Sequence, residues 1–241
     1  MKISFVVPAF NEEKLLGNCL QSIGAAVRAN ARPDLSTEII VADNNSTDAT
    51  PSIAKAAGAI VVFEPINQIS RARNTGASAA TGDWLVFVDA DSELSALLLA
   101  DALALVDENS CIGCGSLMAM PDLPFWARRM LALWSAISII CNWAAGSFIA
   151  CRTDAFRTIG GFSTEFYAAE EIDFCRRLKK LAKKRKQKFT ILRAHPLQTS
   201  NRKVVLYSGA EMLRKILPLL RHPAKSLKDK QYLDIWYGGR R

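Results

Sequence analysis

Short apolar blocks alternate with longer amphipathic ones through the first half of the chain, and most of the apolar blocks end in polar or acidic residues. Lys2–Val7 reads as a strand stopped by Pro8. Asn11 is positioned to cap the helix that follows, with Glu12 and Glu13 in its first turn, and the pattern carries this helix to about Ala31. Glu38–Ala42 is predicted as a second strand, ending in the polar loop Asp43-Asn44-Asn45-Ser46-Thr47-Asp48. Thr50 is placed to cap the next helix, with Pro51 at its first position and Gly58 closing it. A third strand is expected over Ala59–Phe63, and a helix opens at Ile69-Ser70-Arg71-Ala72-Arg73-Asn74 and ends near Gly82. Trp84–Val88 has no polar interruption, as suits a strand covered on both faces, and it ends in Asp89-Ala90-Asp91-Ser92. Ser95–Glu108 (helix) and Ile112–Met120 (strand) complete an alternation that calls for an α/β fold. Its sheet should be mostly parallel, with helices on both faces.

The second half is less regular. A helix rich in Trp and Met is predicted from Pro124 to about Asn142, then a strand from Gly146 to Arg152. Thr153 opens a short helix closed by Gly160-Gly161, and a helix from Tyr167 to about Lys183 carries Glu170, Glu171 and Asp173 near its start. A short last strand is expected over Phe189–Arg193, ahead of His195-Pro196. The pattern divides the chain into an α/β domain over residues 1–195 and a basic, mainly helical tail over 196–241, interrupted by Pro218 and Pro223.

Half of the 241 residues are hydrophobic and 22% are charged, which excludes a disordered chain. The formal charge of +8 implies a negatively charged partner: nucleic acid, anionic lipid or a phosphorylated small molecule. Basic residues crowd into Lys179–Lys188 with no interleaved aromatics, so nucleic acid fits least. Met130–Cys151 carries no charge and is long enough to span a bilayer, but its serines and the break at Ala144-Ala145-Gly146 favour an apolar helix followed by a buried strand. Six scattered cysteines and only two histidines argue against a zinc site and for buried, reduced thiols. With a strand opening the chain and no leader pattern ahead of it, the expectation is a cytoplasmic protein, peripheral on the inner face of a membrane.

In a parallel sheet the strand ends lie side by side, so Asn11 and Glu12, Asp43, and Asp89 and Asp91 converge on one edge. Any one of these clusters could be a turn or a cap; three on one edge make a site. Asp43 can accept hydrogen bonds from a nucleobase or ribose, and Asp91 offers a hard oxygen suited to Mg²⁺ or Mn²⁺. Arg71 and Arg73 suit a base carbonyl or a phosphate. No glycine-rich phosphate cradle follows the first strand, so a nucleotide diphosphate would need a metal to balance its charge.

Pro8-Ala9-Phe10-Asn11-Glu12, Asp43 to Asp48, Arg71-Ala72-Arg73-Asn74-x-Gly76, Asp89-Ala90-Asp91 and Gly160-Gly161-Phe162 through Glu170-Glu171-Ile172-Asp173 together resemble glycosyltransferase family 2. The likeness covers about residues 2–195. It implies a GT-A-type, Rossmann-like α/β/α fold and an enzyme that moves a sugar from a UDP- or GDP-linked donor to a glycan or lipid-linked acceptor, usually with inversion. By the family pattern Pro8, Glu12, Asp43 and Arg71 contact the nucleoside, Asp89 lies at the ribose and diphosphate, and Asp91 ligates a divalent cation, Mn²⁺ or Mg²⁺. In some related enzymes a histidine placed like His195 also reaches the metal or diphosphate. The family's usual Glu-Asp-x-Asp is replaced here by Glu170-Glu171-x-Asp173, so the resemblance puts the general base on Glu171.

Arg202 and Lys203 can clamp the diphosphate from the tail. The segment from Phe125 to Trp143 and the basic run Lys179–Lys188 suit an anionic membrane surface. Two other functions fit parts of the pattern: a nucleotide-sugar-binding or membrane-associated scaffold that has lost turnover, and a nucleotidyltransferase. The latter expects a glycine-rich loop that Pro8–Glu12 does not supply.

Overall fold

A computed structural model describes residues 1–108, 110–206, 211–212, 214, 226–229, 231 and 233. Strands β1 (Lys2–Ala9), β2 (Ser36–Asp43), β3 (Ile60–Phe63) and β4 (Trp84–Val88) form a parallel half-sheet in the order β3-β2-β1-β4. Strand β4 is buried along its whole length, as its uninterrupted apolar run requires. Helices α1 (Leu16–Ala29), α2 (Thr50–Ala56), α3 (Ile69–Ala79) and α4 (Ala96–Asp107) connect these strands or follow them. Two apolar clusters sandwich the sheet: one gathers Leu16, Ile23, Leu98 and Leu103 from α1 and α4, the other Ala77, Phe156, Phe174 and Leu178. The outcome is the expected three-layer α/β/α arrangement.

The other half of the sheet is mixed. Strand β7 (Phe148–Arg152) inserts between β4 and β6 (Cys111–Ala119) and runs antiparallel to both. Strand β8 (Lys188–Thr199) lies parallel to β6 and carries the two-residue strand β5 (Ser92–Glu93), antiparallel, at the edge. Between them come α5 (Phe125–Cys141), α6 (Thr153–Thr158) and α7 (Glu170–Arg185), and the short helix α8 (Arg202–Val205) follows β8.

Three local expectations are corrected. Asn11 does not cap α1, which starts at Leu16; Asn11 takes a left-handed turn (φ 51°) and its Oδ1 accepts the Thr47 N–H at 2.8 Å. Thr50 does not cap α2: its hydroxyl accepts the Glu12 N–H at 2.7 Å, while Asp48 accepts the Thr50 N–H at 2.9 Å. These bonds lace the loops after β1 and β2 into one ledge. Strand β8 does not stop at Arg193. Its pairing with β6 jumps from Leu192↔Ser116 to Leu197↔Met118, so a bulge absorbs Pro196, which cannot donate to a ladder, and the strand continues to Thr199. A boundary after residue 195 therefore falls inside a strand. The tail prolines Pro218 and Pro223 lie outside the described residues. Of the tail pieces that are described, Leu227 accepts the Tyr167 N–H at 2.8 Å.

The motif glycine Gly76 has a packing role. A Cβ there would come within 2.4 Å of Val6 Cγ1, so α3 can approach β1 only without a side chain at that point.

Candidate active site

A cleft of about 490 Å³ opens beyond the carboxyl ends of β1 and β4, where ligands sit in open α/β sheets. Pro8, Glu12, Asn44, Asn67, Asp89 and Asp91 line its polar side, while Met118, Met120 and Trp134 give it an apolar flank. Tyr167, Glu170 and Glu171 close it from the start of α7.

Arg73 organises the site. It is the largest fully buried side chain of the described residues, and it reaches from α3 to the end of β4 and the start of α7. Its Nη1 donates to Glu170 Oε1 at 2.7 Å, and its Nη2 donates to Asp89 Oδ1 at 2.9 Å and to the Gly146 carbonyl at 2.8 Å. The guanidinium also stands over the Phe162 ring, 5.2 Å from its centroid. One cation thus ties the end of β4 to the start of α7 and to the turn before β7. Gly146 has to be glycine for this, since a Cβ there would lie 2.9 Å from Arg73 Nη2.

The charges do not balance around Arg73. Burial opposes its charge, but Asp89, Glu170 and Glu171 together more than offset that, and the guanidinium is held ionised. Both glutamates are pushed up, chiefly by burial. Glu170 is in direct contact with Arg73, whose charge pulls it back down against burial. Glu171 is raised to about 8 by burial and then by Glu170, against the pull of Arg73. A carboxyl tuned close to working pH suits general-base chemistry.

Pro8, Glu12, Asp89, Asp91 and Glu171 are therefore brought together on one cleft. Asp43 and Arg71 are not among the lining residues. Asp43 is buried and accepts the Ser46 N–H at 3.1 Å, which shapes the loop that presents Asn44, and Arg71 Nε donates to Gln68 Oε1 at 3.0 Å. Arg202 reaches Glu12 rather than lining the cleft, through two bonds of 3.1 and 2.8 Å, and so pins the segment after β8 across the mouth. The Lys203 side chain lies outside the described part of the structure. His195 does not come to Asp91. Its Nδ1 is 2.9 Å from Asp101 Oδ2 on α4, because β8 runs four residues further before Ser200 meets the Asp91 carbonyl. Asp173 is held at 2.7 Å by Arg177, one helical turn on.

Asn44, Asn67, Tyr167 and the Met118–Met120–Trp134 flank are additions that sequence patterning does not supply. For Arg73 a signal exists: it shares its helix face with the small residues Ser70, Gly76 and Ala77, all buried, whereas Arg71 lies off that face.

The mixed sheet with helices on both faces is a GT-A-type fold. A model of the family described as "Glycosyl transferase family 2" matches residues 4–172, and the chain belongs to this family. A TPR repeat-containing protein of Synechococcus elongatus is 38% identical over 94 residues, 39% of this chain and 21% of that protein. An uncharacterized glycosyltransferase of Mycobacterium tuberculosis is 33% identical over 129 residues, 53% of this chain and 55% of that protein. The matched stretch thus makes up about half or less of these relatives. Among solved structures, a mannosyltransferase of Pyrobaculum calidifontis in complex with GDP-Man and Mn²⁺ superposes with a TM-score of 0.66 at 20% identity, covering 94% of this chain and 64% of that one.

Proposed function

We propose that this chain transfers a sugar from a nucleotide diphosphate sugar to an acceptor hydroxyl, with a divalent cation and with inversion at the anomeric carbon. The observation that carries the reading is the cleft lined by Asp89, Asp91 and Glu171, in which Arg73 bonds Asp89 and the Glu170 that precedes Glu171. In this reading Pro8, Glu12 and Asn44 flank the nucleoside, with Asp43 and Arg71 shaping the loops behind them.

The donor set suits Mg²⁺ or Mn²⁺. Among the described residues no group of three His, Cys, Asp or Glu side chains could hold a metal. Asp91, with Asp89 beside it, offers the one or two carboxylates these ions take when substrate phosphates and water fill their remaining positions. The cation, when bound, would stabilise negative charge on the diphosphate. Glu171 would take the proton from the acceptor hydroxyl as that oxygen bonds to the anomeric carbon and the anomeric carbon–oxygen bond to the diphosphate breaks, releasing the nucleoside diphosphate, while Asp89 is kept in place by Arg73. The apolar flank of Met118, Met120 and Trp134 favours a lipid-linked acceptor over a free glycan.

A second reading, a binding protein without turnover, draws on the same Glu171, because a proton retained at neutral pH opposes a base. Calorimetric titration with UDP and GDP, with and without Mn²⁺, tests the donor half. We expect metal-dependent binding of one of them, weakened at least ~10-fold in Asp91→Ala. Equal affinity in that variant, or no metal-dependent binding of either nucleotide, ends the proposal.

A further inference from the structure

Helix α5 is built as no solvated helix should be. Of its 17 residues only Ala127 and Ser138 are buried, and no charge occurs after Arg129. Its outward stripe runs Phe125, Arg129, Leu133, Ala136 and Ile140, at the helical spacing of four, four, three and four. Phe125 is 71% exposed, Leu133 63% and Ile140 80%, with Met130 beside them at 47%. A helix facing water carries polar residues on that side, and isolated exposed apolar residues mean little; a contiguous helix-long stripe marks a partner.

We propose that this face of α5 docks in the headgroup layer of an anionic membrane. Charge complementarity selects that partner. Arg128 and Arg129 are exposed at the first turn, and the Arg129 guanidinium lies 4.9 Å from the centroid of the Phe125 ring, so the cation and its apolar neighbour form one surface. At the other end, Lys179 of α7 donates to the Cys141 carbonyl, which sets the basic face of α7 against the end of α5. Arg176, Lys179 and Lys183 share that face at helical spacing, and Lys184 and Lys186 extend the exposed basic run. An apolar stripe with cations at both ends suits an interface-lying helix on acidic lipid.

The helix lies on the bilayer rather than crossing it. No helix among the described residues is long and apolar enough to span, and α5 ends at Asn142 in a left-handed turn (φ 48°), after which the uncharged run continues as the buried strand β7. Trp134, on the inner flank of α5, lines the cleft with Met118 and Met120. Docking through the outer stripe therefore puts the apolar flank of the cleft next to the bilayer.

Sedimentation with vesicles of phosphatidylglycerol, and separately of phosphatidylcholine, tests the proposal with the full chain and no donor. Its failure would leave the transferase reading untouched. The wild type should bind the anionic vesicles, weaken at ~0.5 M salt and bind the neutral ones poorly. A double variant, Leu133→Glu with Ile140→Glu, should lose at least ~10-fold in partitioning while melting within a few degrees of the wild type, because it removes two apolar contacts and adds two repelled charges. Arg128→Glu with Arg129→Glu should lose the anionic preference. No binding to phosphatidylglycerol, or unchanged binding by the double variant, overturns the proposal. So does a wild-type dimer that the double variant dissociates with no vesicle binding by either, since a second copy would then occupy the face. A large fall in melting temperature for the double variant would show the stripe packed against its own chain, and overturns it too.

Discussion

Replacing Arg73 by Met keeps much of the apolar stem and removes the cation that joins β4, α7 and the β7 turn. Glu170, with its side chain 5% exposed, would lose its 2.7 Å partner, Asp89 would lose its 2.9 Å bond, and the Gly146 carbonyl its donor. Removing one member of a buried ion pair costs ~3–5 kcal/mol, because the other charge stays behind unpaired. At the entropy of unfolding typical of a chain this size, that lowers Tm on the order of 10 °C. The loss should be smaller at pH 5 than at pH 7.5, because burial and the lost cation both drive Glu170 towards its neutral form, which needs no counter-charge. Adding Glu170→Gln to Arg73→Met should restore a large part of the loss, since the orphaned charge goes too. Thermal melts of the wild type, the single variant and the double variant at both pH values provide the measurement. An Arg73→Met protein that melts within ~2 °C of the wild type at pH 7.5, or a double variant no better than the single one, refutes the account of the network.

Glu171 gives two linked expectations. As a base it must lose its proton, so kcat/KM should rise with pH and level off above an apparent pKa near the value of about 8 set by burial and Glu170. Stability moves the other way. Between the ordinary 4.5 and about 8 the folded chain keeps a proton that the unfolded chain has shed, so this group lowers stability as pH rises through that window, and Glu171→Gln should melt higher than the wild type at pH 8.5. Gly146→Ala should cost ~1–3 kcal/mol in a denaturant melt and weaken nucleotide binding, because the added methyl displaces the Arg73 guanidinium. Chelation with EDTA should abolish UDP or GDP binding in the calorimeter, and Mn²⁺ should restore it.

The parallel half of the fold was legible because its short apolar runs are strands, and β2, β3 and β4 end at or run directly into Asp43, Glu64 and Asp89. Strand β7 was not: its run Phe148–Arg152 reads as a buried strand in either direction, and only its partners β4 and β6 make it antiparallel. The end of β8 was hidden by Pro196, which looks like a strand stop until a bulge accommodates it. In the site, Asp89, Asp91 and Glu171 could be placed from strand and helix ends. Arg71 and Arg73 look alike as residue types, and the distinction lies in helix phase. Met118 and Trp134 carry no chemical signature; they belong to the cleft only because β6 and α5 meet beside it.

In the proposed reaction Glu171 serves as base on a donor held in the Arg73-organised cleft. Release of nucleoside diphosphate from a panel of nucleotide-sugars, with Mn²⁺ at pH 8, tests it most directly when wild type and Glu171→Gln are compared beside their nucleotide affinities. The wild type should turn over at least one donor, and Glu171→Gln should fall ~10²-fold or more with nucleotide affinity unchanged. Equal turnover by the two proteins, or no turnover of any donor by the wild type, contradicts it.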